Sequence, residues 1–196
     1  MLTLCNINAY KMIQTEISIY KARLKAKGSV ELRLKGNCMD PLLLDGDIAI
    51  IISTDKYKVG DMCLAEFPSG CLILHRIVDI RNEKYILKGD RARKAECLPE
   101  RRLIGVASAV HNDKKTYYLA KSRHIAKIQA FVSRQSILYE YDSETGNSIE
   151  RGRAIHSRLC ERLLIIVNAL LRKVWIKSYR SVNENINVRS DNEISI

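Results

Sequence analysis

Turn residues cut the stretch from Ser29 to Leu119 into short pieces, and this constrains the fold more than any other feature. Gly46-Asp47, Gly60-Asp61, Pro68-Ser69-Gly70, Gly89-Asp90 and His111-Asn112-Asp113 mark successive breaks. Between them the apolar residues follow strand patterns. Val30, Leu32 and Leu34 alternate with Glu31, Arg33 and Lys35, as in a half-buried strand. Ile48–Ile52 reads as a short buried strand, and Met62–Phe67 and Cys71–Ile80 as a hairpin closed at Pro68-Ser69-Gly70. Tyr85–Leu87 is a further strand, and Leu103–Val110 has a partner in Thr116–Leu119. Many short strands at close spacing predict a mainly β, mostly antiparallel unit over residues 29–120.

The flanks carry a different period. Ile13, Ile17, Tyr20 and Leu24 recur at helical spacing, which predicts a helix within residues 1–28 that docks on the β unit and stops at Gly28. Residues 121–180 read as a basic, helical extension, with a loop at Asp142–Asn147. Within it Leu159, Leu163, Ile166, Leu170 and Val174 line one helix face. Residues 151–180 hold eight Lys and Arg against the single acid Glu161. Two readings of this helix follow: it lies on an anionic membrane surface, or it packs that face on the β core and solvates its basic side. Packing is preferred, because the apolar face would otherwise be exposed. Residues 181–196 are polar and are expected to form a disordered tail.

The chain carries 33 Lys and Arg against 22 Asp and Glu, a net charge of +11. That excess suits an anionic neighbour. Aromatics are 6% of the chain and are not interleaved with the basic residues, which disfavours nucleic acid as the partner. None of the six cysteines forms a C-x-x-C pair, and no Cys/His spacing resembles a zinc site. No metal or cofactor is expected, and reduced thiols in a cytoplasm fit the cysteine usage. No secretory leader and no apolar run of membrane-spanning length is evident in the sequence.

Chemistry concentrates at Gly36-Asn37-Cys38-Met39-Asp40-Pro41. A small-residue turn presents Cys38 just ahead of a proline, and His75 lies on the strand Leu72–Ile80 next to Arg76. A thiol becomes a nucleophile as thiolate, and an imidazole within reach is the usual device that produces one at neutral pH. Asp90 and Glu96 are the carboxylates available to orient His75.

The surroundings of these residues resemble a known pattern. Gly36-Asn37-Cys38-Met39-Asp40-Pro41 is similar to the G-x-S-M-x-P nucleophile box of the type I signal peptidase and LexA-like superfamily, with Cys38 where the family has serine. Asp45-Gly46-Asp47-Ile48, Val59-Gly60-Asp61-Met62, Leu74-His75-Arg76-Ile77-Val78 and Leu87-Lys88-Gly89-Asp90 resemble its later boxes in the same order, and Ile104-Gly105-Val106 its closing strand. His-Arg, in place of Lys-Arg, is the pattern of the endoplasmic-reticulum and archaeal branch. The resemblance covers residues 29–110 and implies coiled antiparallel sheets, Cys38 as nucleophile and His75 as general base. It also implies an acid downstream: Asp90 as His75 orienter or structural residue, and Glu96 as a second acid. It assigns the oxyanion donor to the Cys38 amide, and the shaping of turn and substrate cleft to Gly36, Met39 and Pro41.

The departures shape the functional expectation. A membrane-anchored processing role is disfavoured for want of a spanning segment, and repressor self-cleavage because Lys27-Gly28, in place of Ala-Gly, precedes the β unit. The chain looks closer to stand-alone members found with peptide-maturation systems. The expected activity is therefore endopeptidase cleavage of a cytoplasmic peptide precursor by Cys38 and His75. The rival expectation is a catalytically inactive module of the same fold that binds a peptide, at a membrane surface through residues 151–180.

Overall fold

A computed structural model of the chain describes residues 14–112, 115–119, 123–151 and 154–190. It is mainly β, with a helix at each flank of one ten-stranded sheet and a third helix between strands. Helix α1 (Gln14–Lys27) leads into β1 (Ser29–Arg33), β2 (Ile48–Ile52), β3 (Met62–Glu66), β4 (Leu72–Arg81), β5 (Lys84–Lys88), β6 (Lys94–Pro99), β7 (Leu103–Asn112) and β8 (Lys115–Tyr118). Helix α2 (Arg123–Gln135), β9 (Tyr139–Asp142), β10 (Ser148–Glu150) and helix α3 (Ala154–Ser190) complete it. The strand order is β1-β2-β7-β3-β4-β5-β6-β9-β10, with β8 paired to β7. Among the described residues every pairing is antiparallel except β6 with β9.

Strand β3 shows how the sequence builds the core. All five of its residues are buried, so alternate side chains serve two different clusters. Met62 and Leu64 join a core with Ile17, Leu24, Ile51 and Leu42, whereas Cys63 and Ala65 join Ile77, Leu87 and Leu98. Helix α1 closes the first cluster through Ile17 and Leu24, the face expected from its period, and ends where the Gly28 amide bonds the Leu24 carbonyl at 2.9 Å. Ile13 lies outside the described residues.

Three expectations need correction. The basic extension 121–180 is not helical throughout: β9 and β10 form a hairpin that joins the sheet through β6. Tyr139-Glu140-Tyr141-Asp142 alternates, and Glu140 and Asp142 find Arg81 and Lys84 on the older strands. The loop at Asp142–Asn147 is the turn of that hairpin, closed by the Gly146 amide on the Asp142 carbonyl at 2.9 Å. Helix α3 runs to Ser190, into the segment read as a disordered tail; the sequence has no Gly or Pro after Gly152 to end it. Residues 191–196 lie outside the described residues.

The third correction concerns the face that α3 buries. The helix packs through Ser157, Leu164 and Asn168, each at most 1% exposed. Leu159, Leu163, Ile166 and Leu170 are exposed on the opposite side. Polar contacts select this face: Ser157 Oγ donates to the Ser136 carbonyl at 2.5 Å, and Asn168 Nδ2 donates to Asp90 at 2.7 Å. Among the described residues no helix is long and apolar enough to cross a membrane.

Candidate active site

The turn that bears Cys38 is held from four sides. The Gly36 amide donates to Asp45 Oδ1 at 2.7 Å, tying the Cys38 turn to the Asp45-Gly46-Asp47 turn. The Leu42 and Leu43 amides both donate to the Met39 carbonyl at 3.1 Å, and the Met39 side chain is 4% exposed within the first core cluster. Met39 thus anchors the turn from beneath. The Arg91 amide donates to the Cys38 carbonyl at 2.9 Å, and the Arg91 guanidinium bonds Asp40 at 2.5 Å. Arg172 of α3 donates to the Leu42 carbonyl at 2.7 Å and to Asp47 at 2.8 Å. The Asp40–Pro41 peptide is cis. Cys38 itself is partly exposed, as an attacking thiol must be, whereas Cys63 and Cys97 are buried.

Gly89 brings thiol and imidazole together. A Cβ on Gly89 would lie 3.1 Å from Cys38 Cβ and 3.1 Å from His75 Nε2. Cys38 Cβ and His75 Nε2 therefore flank one point, and the separation of these two atoms cannot exceed the sum of those distances. The same imaginary atom would sit 3.0 Å from the Cys38 carbonyl oxygen. A side chain at residue 89 would crowd both groups, which gives the Lys88-Gly89-Asp90 box a physical reason.

The far edge of the imidazole is also engaged. His75 Nδ1 lies 3.0 Å from Glu96 Oε2, with side-chain exposures of 7% and 12%. Glu96 sits on β6, two strands from β4, so the contact spans the β4–β5–β6 sheet. An ionised carboxylate only accepts, so Nδ1 carries a proton, and Nε2 is the ring nitrogen on the Gly89 and Cys38 side. A neutral ring in this position could take a proton at Nε2 while Glu96 holds its other edge.

Asp90 does different work. Arg76 Nε donates to Asp90 Oδ1 at 3.0 Å and Arg76 NH2 to Oδ2 at 2.7 Å, a buried two-point ion pair. Asn168 donates to the same carboxylate, and Gln129 Nε2 of α2 donates to Asn168 Oδ1 at 2.6 Å. Arg76 NH1 also reaches the Gly60 carbonyl at 3.3 Å. Of the two candidate acids, Glu96 meets His75 and Asp90 meets Arg76. The His75-Arg76 pair thus divides its labour: one residue faces the thiol, and the next locks α2 and α3 to the sheet.

Gln129 and Asn168 carry no sequence signal of their own. Each is a lone amide in a helix, and only its burial at 3% and 0% marks it. Lys88 is buried too, its ammonium bonding the Gly89 carbonyl at 2.9 Å and Ser133 Oγ at 3.3 Å. Burial pushes its pKa down to about 8, with the Arg76 charge adding to the effect against the carboxylates of Asp90, Glu161 and Glu96. Among the described residues no cluster of His, Cys, Asp and Glu could hold a metal ion. Compared with known proteins, the chain matches no family model, no curated protein and no solved structure.

Proposed function

We propose that the protein is a Cys-His endopeptidase of the signal peptidase and LexA-like type, acting on a peptide precursor in the cytoplasm. The observation that carries this reading is the convergence of Cys38 and His75 on Gly89, with Glu96 on the other imidazole nitrogen. Sulfur in place of oxygen keeps a nucleophile, and a histidine base suits a thiol better than it suits a spectator.

The chemistry follows from the tautomer. His75 Nε2 takes the Cys38 proton, and the thiolate attacks the scissile carbonyl carbon, forming a C–S bond. The resulting oxyanion is met by the Cys38 backbone N–H. Collapse breaks the C–N bond as imidazolium returns its proton to the leaving amine. Water, deprotonated by His75, then attacks the thioester; the C–S bond breaks, the acid leaves and the thiol is restored. Glu96 keeps the ring oriented and stabilises the imidazolium throughout.

The experiment is cleavage of short precursor peptides encoded beside the gene, read by mass spectrometry with the parent protein, Cys38→Ala and His75→Ala. The parent is expected to cut one peptide bond, and each variant to be silent while keeping the parent's circular dichroism. No cleavage of any neighbouring peptide by the parent, or cutting by either variant at the parent rate, would overturn the reading.

A further inference from the structure

Helix α3 is built inside out for a helix lying on a protein. Its buried side is partly polar, with Ser157 and Asn168 beside Leu164. At about 100° per residue, Ile155, Leu159, Leu163, Ile166 and Leu170 fall together on the opposite side of the wheel. They are 76%, 60%, 51%, 58% and 57% exposed. From Ile155 to Leu170 the stripe runs for about 22 Å. Contiguous apolar surface of this kind is rare on a protein that meets only water.

Charge identifies the occupant. Arg158, Arg162 and Lys173 are exposed and lie along one flank of the stripe. Glu161, the acid of this stretch, points to the other side and pairs with Arg93 at 3.5 Å. The surface is therefore apolar along its crest and cationic along its border. A second copy would bring the same cations and the same net charge of +11 against it. A folded partner needs a groove to receive a single convex helix, whereas a fluid bilayer interface conforms to one.

We propose that α3 is an in-plane membrane anchor that seats this stripe among the acyl chains of an anionic leaflet, with Arg158, Arg162 and Lys173 at the headgroup phosphates. The opposite side of the same helix holds the nucleophile turn and the Arg76–Asp90 pair through Arg172 and Asn168. Docking thus keeps the candidate site close to the lipid surface without using any of its residues. The proposal does not depend on peptidase activity, and Cys38→Ala should dock as the parent does.

The test is flotation with vesicles of phosphatidylcholine alone and with about a third phosphatidylglycerol, at low and high salt. The parent is expected to float with the anionic vesicles, to release as salt rises, and to bind neutral vesicles at least tenfold more weakly. Arg158→Ser with Arg162→Ser should weaken anionic binding by about 20-fold. Leu163→Ser with Ile166→Ser should weaken it at least tenfold at either lipid composition. These side chains are exposed, so circular dichroism should not change. Equal binding to both vesicle types, or stripe variants that float like the parent, would overturn the proposal. A dimer in sedimentation velocity that the stripe variants dissolve, without vesicle binding, would assign the face to a second copy instead.

Discussion

His75 Nδ1 and Glu96 Oε2 meet at 3.0 Å across an intervening strand, and that contact fixes which imidazole nitrogen faces the thiol. Replacing the carboxylate by an amide makes the other tautomer available, because the amide NH2 can donate to Nδ1. Glu96→Gln is therefore expected to lower kcat/KM by at least about 100-fold with little change in Tm. Steady-state kinetics on the cleaved precursor, beside a melting curve, checks both halves. Parent-like kinetics in Glu96→Gln would remove Glu96 from the mechanism.

Asp90 should behave in the opposite way. Its carboxylate satisfies a guanidinium that is 1% exposed, so Asp90→Ala strands a buried charge. The expected cost is about 3–5 kcal/mol of stability, seen as a lower denaturation midpoint. Asn168→Ala removes one bond to the same carboxylate and should cost about 1–3 kcal/mol. Denaturant titration of the three proteins gives the ranking, and a neutral Asp90→Ala would contradict the structural role.

Gly89→Ala tests the geometry without touching a reacting group. The added methyl would press at 3.0–3.1 Å on Cys38 and on His75 Nε2, so one of them must move. A shift of this small size is expected to cost about tenfold in kcat with KM less affected. Kinetics at the parent level would mean that the two groups do not work as a pair.

Lys88 gives a pH dependence of defined sign. Its pKa is about 8 in the folded chain against an ordinary 10.5, so between those values the unfolded chain holds more of this proton. Its contribution opposes folding, in full below about pH 8, and fades as pH rises toward 10.5, a change of about 3 kcal/mol. Burial also raises the Tyr57 and Cys63 pKa values, and those groups lose stability as pH rises, with the opposite sign. The measurement is therefore the stability of the parent minus that of Lys88→Met, which cancels them. That difference should climb between about pH 7 and pH 10; a flat difference would contradict the burial of a charged ammonium.

Much of this architecture is written in local pattern. The hairpin over Met62–Ile80, strand β2 and the stop of α1 at Gly28 follow from alternation and turn residues. Strand β6 was not evident, because Lys94–Pro99 is polar at its start and its Glu96 turns inward to His75 only once β5 lies beside it. The hairpin β9–β10 escaped for the same reason: its charged residues are matched by Arg81 and Lys84, far away in the chain. The face that α3 buries runs against its apolar periodicity, which normally marks the packed side. Here Asn168 and Ser157 find buried partners, and the aliphatic side faces out. Tertiary polar contacts are invisible to a periodicity argument.

The central claim is that His75 activates Cys38, and alkylation of the thiol measures it without any knowledge of the substrate. Iodoacetamide at neutral pH, with labelled peptides quantified by mass spectrometry over time, gives one rate for each cysteine. Cys38 is expected to react at least tenfold faster than the partly exposed Cys71, and to lose that advantage in His75→Ala; Cys160 is no reference, because its sulfur lies 3.6 Å from His156 Nε2. Cys38 labelling no faster than Cys71, or at an unchanged rate in His75→Ala, would contradict the account.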